Sequence, residues 1–342
     1  MNLPKKHHIL PQCYLSNFKN FKDKIGVMKT YPGRDKVRWS HTSGMGYKEN
    51  YFKVEPFSFS KNIDIDPLII ESKHNKKYED ILPEYWNKLK GESLELSVND
   101  KYTIAEIIYH LKNRTQFTRN FFFNEEASNH LVEETSEAVL PYLWEKQKEY
   151  YIQYGLDFPQ YASLMKGMMQ NNYTKKDKNS IHNNFLHWQS SKIDSSIKKQ
   201  ALWRLVQSPW TVLHSNIEAT FITTDNPGAS EYNNEIFNFL GDSSSKFDFY
   251  FPISSNRVLK VECRKKQVDD NVLFDLKHVN LTSSETNRIN LYLLMNSVEE
   301  VYGPDEDTLI KLKHELVDKK KYIPKNISLL DLLEKYPPSN KY

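Results

Sequence analysis

The segment EATFITTDNPG, residues 218–228, marks the point where the chain changes from helical to sheet-forming sequence. Before it, residues 124–214 carry apolar side chains at helical spacing, interrupted only by polar breaks. After it, FDFYFPIS (247–254) and NRVLKVECR (256–264) are rich in β-branched and aromatic residues, as short strands are. The C-terminal part therefore predicts strands that follow a helical block.

The N-terminal region predicts a second source of strands. KIGVMKTY (24–31) and DKVRWS (35–40) flank the sequence Pro-Gly-Arg at 32–34, and a Pro-Gly turn between two such runs favours a β-hairpin. We expect the hairpin and the C-terminal strands to join in one sheet, because both are too short to bury a face alone.

Two long helices are expected between the hairpin and the helical block. Asp66 and Pro67 are residue types that begin a helix, and Ser97 is a suitable cap for the next one. The predicted fold class is α+β and helix-rich, with a mixed or antiparallel sheet against which the helices pack. Residues 1–342 are expected to form a single body, with 124–214 as a helical middle block or insertion.

The composition limits the class of protein. Hydrophobic residues make up 39% of the chain and aromatic residues 13%, which is enough for a sizeable core. The formal net charge of +3 is small for 342 residues, so a nucleic-acid partner is allowed but not indicated. No apolar run is long enough to span a bilayer, and we expect a soluble, cytoplasmic protein without a membrane segment.

Several common chemistries have no sequence support. Cys13 and Cys263 are the only cysteines, and their separation argues against a disulfide framework or a zinc knuckle; both are predicted to be small core residues. No Walker loop, Rossmann glycine fingerprint or H-E-x-x-H motif occurs, so no nucleotide cofactor and no zinc peptidase are expected. Ser254 lacks a Gly-x-Ser-x-Gly context and is not proposed as a nucleophile.

The first candidate side chain lies in KKHHILPQ, residues 5–12. Pro11 is suited to the first turn of a helix, so His7 and His8 fall in the preceding extended segment. Adjacent side chains of an extended segment point in opposite directions, so at most one of the two histidines faces an interior site, and His8 is the candidate. Its imidazole could ligate a metal or act as a base, or it could make only a structural hydrogen bond.

Two glutamates on the first predicted helix form the second candidate. Glu71 and Glu79 are eight residues apart, so on one α-helix they project within about 80° of each other. Such a pair facing a histidine suits a divalent-metal site or acid–base work, although exposed helical glutamates are common. Glu79 is favoured, because Tyr78 and Leu82 place it near the buried side.

A polar stripe on the next predicted helix is the third candidate. His110, Arg114 and Thr118 are spaced at i, i+4 and i+8 on a helix that is otherwise apolar. An arginine at the edge of a buried face needs an anionic partner. That partner is either a phosphate on a ligand or a structural ion pair with Glu71, Glu79 or Asp225, and both alternatives stay open.

The turn TTDNPG (223–228) is the fourth candidate. Asp225 ends an apolar run beside the rigid pair Asn226-Pro227, and such a carboxylate can serve as a metal ligand or base. The alternative is an Asx-turn in which Asp225 caps backbone amides. Asn280 precedes a helix start and is either a substrate-binding side chain or a cap.

Several of these segments occur together in an order that resembles one known family. The chain is similar, from about residue 3 to residue 303, to the bacterial and fungal family called domain of unknown function 4238. The likeness rests on HHILPQCYLSNF, YFKVEPF followed by DPLIIESKHNKKYEDIL, HLKNRTQFTR, FITTDNPG, YFPISSNRVL and VNLTSSETNRINLYLLMNSVEEVYG. The positions that match the family's motifs are His7 or His8, Glu71, Glu79, Arg114, Thr224 to Pro227, and Asn280. The resemblance implies a fold and implies no reaction.

Two hypotheses about function follow. In the first, the protein is a metal-dependent phosphodiesterase or nuclease, with a role as a toxin or defence effector and nucleic acid as its substrate. Its catalytic residues would be His8, Glu79, Arg114 and Asp225; its Mg²⁺ or Mn²⁺ ligands His8, Glu79 and Asp225; and its substrate-binding residues His110, Asn226 and Asn280. In the second, these residues form an ion-paired scaffold, and a non-catalytic module binds protein or nucleic acid or forms a homo-oligomer.

Overall fold

The structure is a computed structural model that describes residues 6–31, 36–54, 66–91, 95–122, 125–175, 182–183, 186–187, 196–232, 235–237, 246–263 and 276–318. In this part of the chain, helices and several small sheets occur together, which confirms the helix-rich α+β fold class. The Pro-Gly-Arg turn predicted at 32–34 lies outside the described residues.

The elements are as follows, in chain order. The strands are β1 (Lys6–His8), β2 (Ile25–Lys29), β3 (Arg38–Ser40), β4 (Tyr47–Glu49), β5 (Trp210–His214), β6 (Thr223–Thr224), β7 (Ala229–Tyr232), β8 (Glu235–Phe237), β9 (Phe247–Ser254), β10 (Arg257–Cys263), β11 (Leu276–Asn280) and β12 (Glu300–Gly303). The helices are α1 (Gln12–Leu15), α2 (Lys76–Lys90), α3 (Val98–Asn113), α4 (Gln116–Phe122), α5 (Glu125–Ile152), α6 (Phe158–Lys175), α7 (Ser196–Val206), α8 (Ser283–Met295) and α9 (Glu306–Asp318).

A four-stranded antiparallel sheet joins the two ends of the chain. Its order is β3-β2-β12-β6, so the predicted N-terminal hairpin pairs with a C-terminal strand along Gly26 to Lys29. The expected joining of the hairpin with C-terminal strands is therefore found in this sheet.

The remaining C-terminal strands form a second, mixed sheet of their own. Its order is β11-β5-β10-β9-β7-β8, and β11 is parallel to β5 while the other neighbours are antiparallel. Alternation along β9 places Phe249 and Phe251 in one hydrophobic cluster and Tyr250 in another, on opposite faces of the sheet. The expectation of one shared sheet was too simple: β9 and β10 pair with each other in the six-stranded sheet, whereas the hairpin pairs with β12, and β12 with β6.

The helical middle block ends earlier than expected. Helices α5, α6 and α7 lie within it, but Trp210–His214 at its end is strand β5, paired with β10 and β11. Pro209 disfavours continuation of α7, and the β-branched and aromatic residues that follow suit a strand.

The helix predicted from Asp66 is divided into two types of helix. Residues Ile70–Asn75 form a π-helical turn, and α2 follows it directly. The Asp66 carboxylate accepts a hydrogen bond from the Leu68 amide at 2.9 Å at the start of this segment. Short π-helical turns are rare and occur often at functional sites, because they displace side chains from the regular helical positions.

The next predicted helix begins as expected and then breaks. Ser97 caps α3 by accepting a hydrogen bond from the Asp100 amide at 3.0 Å. The helix ends at Asn113, and Thr115 Oγ1 accepts a hydrogen bond from the Thr118 amide at 3.3 Å at the start of α4. Thr118 therefore belongs to a different helix from His110, and the predicted three-residue stripe is interrupted.

The two cysteines differ in their surroundings. Cys263 is fully buried in β10, as predicted, whereas Cys13 on α1 is only partly buried and its Sγ donates a hydrogen bond to the backbone carbonyl of Glu79 at 3.7 Å. Among the helices of the described ranges, none is both long and apolar enough to cross a membrane.

Candidate functional site around His8

The two adjacent histidines lie on β1, which pairs with β4, and they have different environments. His7 is fully buried; its Nδ1 accepts a hydrogen bond from the Phe52 amide at 2.8 Å, and its ring stacks on that of Phe52. His8 is half-buried and its ring makes an edge contact with Tyr47 at 6.0 Å between centroids. The extended backbone thus gives His7 a structural position and places the His8 side chain in a different environment.

The His8 imidazole has one fixed nitrogen and one unused nitrogen. The ring makes a hydrogen bond to the Ser43 backbone, while Nε2 is buried and has no hydrogen-bond partner among the described residues. The bond to Ser43 therefore uses Nδ1–H, and Nε2 keeps its lone pair. Burial lowers the pKa of His8, although the charges of Glu71 and Glu79 oppose that shift. At neutral pH this side chain is an uncharged base with an unused nitrogen.

The two glutamates have different partners. Glu71 lies on the π-helical turn, and its Oε2 accepts a hydrogen bond from Asn75 Nδ2 at 2.7 Å. Glu79 lies on α2, is 31% exposed, and its Oε1 accepts a hydrogen bond from Arg114 at 2.9 Å. The 80° offset expected for one regular helix does not apply, because the π-helical turn separates the two residues. Burial is the largest influence on the pKa of His8, and the charges of both carboxylates oppose it by raising that pKa.

Arg114 is completely buried and binds inside the protein. Its guanidinium forms the ion pair with Glu79, donates through Nη2 to the His8 carbonyl and lies 5.0 Å from the centroid of the Phe52 ring. Of the two open alternatives for Arg114, the structure contains the ion pair. Its Nε is buried and lacks a hydrogen-bond partner among the described residues.

His110 reaches this group only through another side chain. Its Nε2 lies 3.0 Å from Asn75 Oδ1, and Asn75 in turn donates to Glu71, so a hydrogen-bonded chain runs from His110 to Glu71. His110 is buried, stacks on Tyr78 at 4.3 Å, and burial lowers its pKa well below the usual value. Its connection to Glu71 therefore runs through Asn75.

Sequence reasoning missed Asn75. Asn75 lies in the π-helical turn, and its amide side chain is almost completely buried. A buried amide must find hydrogen-bond partners, but its polar neighbours in sequence, Lys73 to Lys77, gave no signal that Asn75 would be buried. Its role depends on the π-helical turn, which turns it toward His110.

Asp225 caps backbone amides of a distant segment, and not those of the local Asx-turn that was its alternative interpretation. Its Oδ1 accepts from the Val298 amide at 2.9 Å, and its Oδ2 accepts from the Glu299 and Glu300 amides at 2.7 and 3.1 Å. Burial raises the pKa of Asp225 to about 6, and these backbone bonds work against that increase. Both oxygens are thus used to hold the turn against the start of β12.

The two predicted asparagines also lie outside the His8 group. Asn226 is fully buried; its Oδ1 accepts from Lys112 Nζ at 3.2 Å, and its Nδ2 donates to the Asn296 carbonyl at 2.7 Å. Asn280 is exposed at the end of β11, where its backbone pairs with His214 in the six-stranded sheet. The side chain that caps the following helix is Thr282.

The predicted metal ligands do not assemble. In the described ranges, no group of three or more His, Cys, Asp or Glu side chains has an arrangement that could hold a metal ion. The set His8, Glu79 and Asp225 fails because both oxygens of Asp225 accept backbone hydrogen bonds. The geometry instead offers one unprotonated imidazole nitrogen beside two carboxylates, which is suited to proton transfer.

The comparisons with known proteins identify a family. A family model described as "Protein of unknown function (DUF4238)" matches residues 6–307, in agreement with the resemblance read from the motifs. No curated protein and no solved structure matches this chain significantly.

Proposed function

This chain belongs to the family described as protein of unknown function (DUF4238), and from that premise we propose that it is a hydrolase of the nuclease or phosphodiesterase class that acts through His8. The observation that carries the proposal is the buried Nε2 of His8 beside Glu71 and Glu79, which has no hydrogen-bond partner in the described part of the chain. Unused basic nitrogens with a fixed tautomer are costly to maintain in a fold and are typical of catalytic bases.

The chemistry follows from the protonation state of His8. Nε2 accepts the proton of an attacking water or hydroxyl while the new bond to phosphorus forms, and the imidazolium then returns the proton to the leaving oxygen. Glu71 and Glu79 stabilise the positive charge that the ring carries between the two steps. The Ser43 carbonyl holds the ring in one tautomer throughout.

Two lysines on the same elements as His8 and Glu71 supply positive charge for an anionic substrate. Lys6 is two residues before His8 on β1, so both side chains lie on one face of the strand. Lys6 Nζ lies 4.6 Å from the Tyr47 ring, which also contacts His8. Exposed Lys73 lies two residues after Glu71 on the π-helical turn. These ammonium groups support a phosphodiester as the substrate class.

A divalent ion is not needed for any of these steps. Asp225, which was expected to be the third ligand of a Mg²⁺ or Mn²⁺ site, accepts hydrogen bonds from backbone amides instead. Dependence on a metal therefore becomes one arm of the test, and no residue is assigned to a metal step.

The test is a cleavage assay with fluorescent single-stranded and double-stranded DNA and RNA, each with Mg²⁺, with Mn²⁺ and with EDTA. His8→Gln is expected to reduce turnover by about 10²–10⁴-fold, the usual contribution of a general base. His314→Gln, at an exposed histidine of α9, is the matched control and is expected to keep full activity. Equal turnover by His8→Gln and wild type would refute the assignment of His8.

The second candidate function is a non-catalytic binding module. It is favoured by one observation, namely that Arg114 and Asp225 are bound to other parts of the protein. Under this proposal no nucleic acid is cleaved by the wild-type protein, and His8→Gln changes only stability. The roles of toxin and defence effector stay predictions under either function.

A further inference from the structure

Three polar atoms around the Arg114 guanidinium are buried without partners. They are Arg114 Nε, His8 Nε2 and the Tyr51 hydroxyl, and none has a hydrogen-bond partner among the described residues. Arg114 is 0% exposed and Tyr51 only 5%. Native proteins rarely leave buried polar groups unsatisfied, so three such atoms near one guanidinium indicate a group that is supplied from outside the chain.

Arg114 contacts His8 directly, and Tyr51 is connected to Arg114 through the Phe52 ring. The guanidinium donates to the backbone of His8 and lies against the Phe52 ring. The Tyr51 ring packs edge-on against Phe52 at 4.9 Å between centroids. The charge of Arg114 lowers the pKa of both His8 and Tyr51, in keeping with these contacts.

The Tyr51 ring is held rigidly. Arg119 stacks on it with its guanidinium carbon 3.4 Å from the ring centroid, and His182 packs against its edge. Arg119 is itself fixed by hydrogen bonds to His182 at 3.0 Å, to Asn183 at 3.0 Å and to the Tyr51 carbonyl at 2.9 Å. The direction of the hydroxyl is thus set before any ligand binds.

The charge at this position favours an anion. Burial raises the pKa of Tyr51 to about 12, so the hydroxyl stays protonated at neutral pH and can donate. Arg119 and Arg114 contribute positive charge there, and their effects are larger than the opposing effect of the Asp225 carboxylate. Two hydrogen-bond donors beside two guanidinium groups call for an acceptor that carries negative charge.

We propose that Tyr51 Oη and Arg114 Nε form an anion-binding subsite that takes a phosphoryl oxygen next to His8. The identification of that oxygen as part of the substrate rests on the proposed function, whereas binding of the anion itself does not. The subsite would place a phosphate group within the reach of the unused His8 nitrogen. The competing explanation is an internal water molecule that satisfies the same donors.

The decisive variant is Tyr51→Phe, which removes one oxygen atom and keeps the ring. The probes are inorganic phosphate and dimethyl phosphate, titrated by NMR against the full chain, so that a phosphate ion and a phosphodiester are compared directly. We expect Tyr51→Phe to weaken binding of the preferred probe about tenfold, since a buried hydrogen bond to a charged group is lost. We expect its melting temperature without ligand to stay equal or to rise, because an unsatisfied hydroxyl is removed.

The matched control is Tyr14→Phe. The Tyr14 hydroxyl is also fully buried, but it is bonded to Thr223 Oγ1 at 2.8 Å and to the Pro252 carbonyl at 3.0 Å. Its removal should lower the melting temperature and leave the affinity for both probes unchanged. Absence of phosphate binding by the wild type, unchanged affinity of Tyr51→Phe, or a lower melting temperature of Tyr51→Phe would each overturn the proposed subsite.

The failure of the subsite and that of the proposed function are distinguishable. If the wild type cleaves nucleic acid and Tyr51→Phe has an unchanged KM, the subsite is refuted and the function of His8 stands. If no nucleic acid is cleaved but Tyr51→Phe still weakens phosphate binding, the subsite stands and the hydrolase proposal fails.

Discussion

Replacement of Asp225 by asparagine tests whether the Asp225 carboxylate is structural or catalytic. In the structure its two oxygens accept three backbone hydrogen bonds, two of them on Oδ2. An asparagine can place its oxygen at the position of Oδ2 and keep two bonds, but these become neutral and about half as strong. Its amide nitrogen then faces the Val298 N–H, so two donors meet and both lose their acceptor.

These contacts set the expected loss in the free energy of unfolding. Weakening of two charge-assisted bonds costs about 1 kcal/mol each, and the buried, unsatisfied donors cost about 1–3 kcal/mol more. Burial raises the pKa of Asp225 to about 6, which shows that burying its charge is unfavourable. A neutral amide avoids that cost, and this offsets part of the loss of stability. We therefore expect Asp225→Asn to lower the free energy of unfolding by about 2–4 kcal/mol at pH 7.

The assay is urea unfolding at pH 7 together with turnover per folded molecule. Asp248→Asn is the matched control, since Asp248 pairs with Lys260 at a partly exposed position and should change stability by less than about 1 kcal/mol. The reasoning would be refuted if Asp225→Asn kept its stability and yet lost turnover about a hundredfold or more, because a group that only caps amides cannot affect the chemistry without affecting the fold.

Two further predictions concern buried charge. Glu79→Ala leaves the Arg114 guanidinium without its carboxylate and should lower the free energy of unfolding by about 2–4 kcal/mol, somewhat below the usual cost because Glu79 is 31% exposed. The control Glu84→Ala, on the same helix, should change the free energy of urea unfolding by less than about 0.5 kcal/mol. Equal effects of the two variants would contradict a buried ion pair. Burial lowers the pKa of His182 from 6.5 to about 3. The stability that the neutral, buried His182 contributes is therefore complete above pH 6.5 and is lost as the pH falls toward 3, at about 1.4 kcal/mol per pH unit. His182→Gln should show a smaller decrease in the free energy of unfolding between pH 6.5 and pH 4.5, and an unchanged slope would assign the pH dependence to other groups.

Local signals were sufficient for most elements of the fold. Ser97 forms a cap that bonds only to a neighbour three residues away, and the Thr282–Glu285 capping box begins α8 in the same manner. The strands β2, β3, β9 and β10 follow from β-branched and aromatic patterns within five to eight residues. The errors occurred where a local pattern had two outcomes, as in WTVLH at 210–214, which was included in the helical block.

The sequence predicted part of the candidate site's membership and not the roles of its residues, since Asp225, Asn226 and Asn280 lie elsewhere. His8, Glu79 and Arg114 were selected from residue type and spacing, and the structure places them together. The role of Arg114 depended on which carboxylate was near it, and that carboxylate is 35 residues away in sequence. Tyr51 and Asn75 were missed, because a tyrosine or an asparagine becomes notable only when burial leaves it without a partner or gives it an unusual one.

The sequence by itself determined the α+β class, the hairpin, the helix caps and the exclusion of glycine-rich phosphate loops, because each of these depends on residues that are neighbours along the chain. Only the tertiary structure decided that the strands divide among separate sheets and that Asp225 holds backbone amides 73 to 75 residues away. It also decided that His8 Nε2 is buried with no hydrogen-bond partner among the residues that the structure describes. The physical reason is that hydrogen-bond satisfaction of a buried group is settled by the segments that pack around it, and their identity is not written in the local pattern.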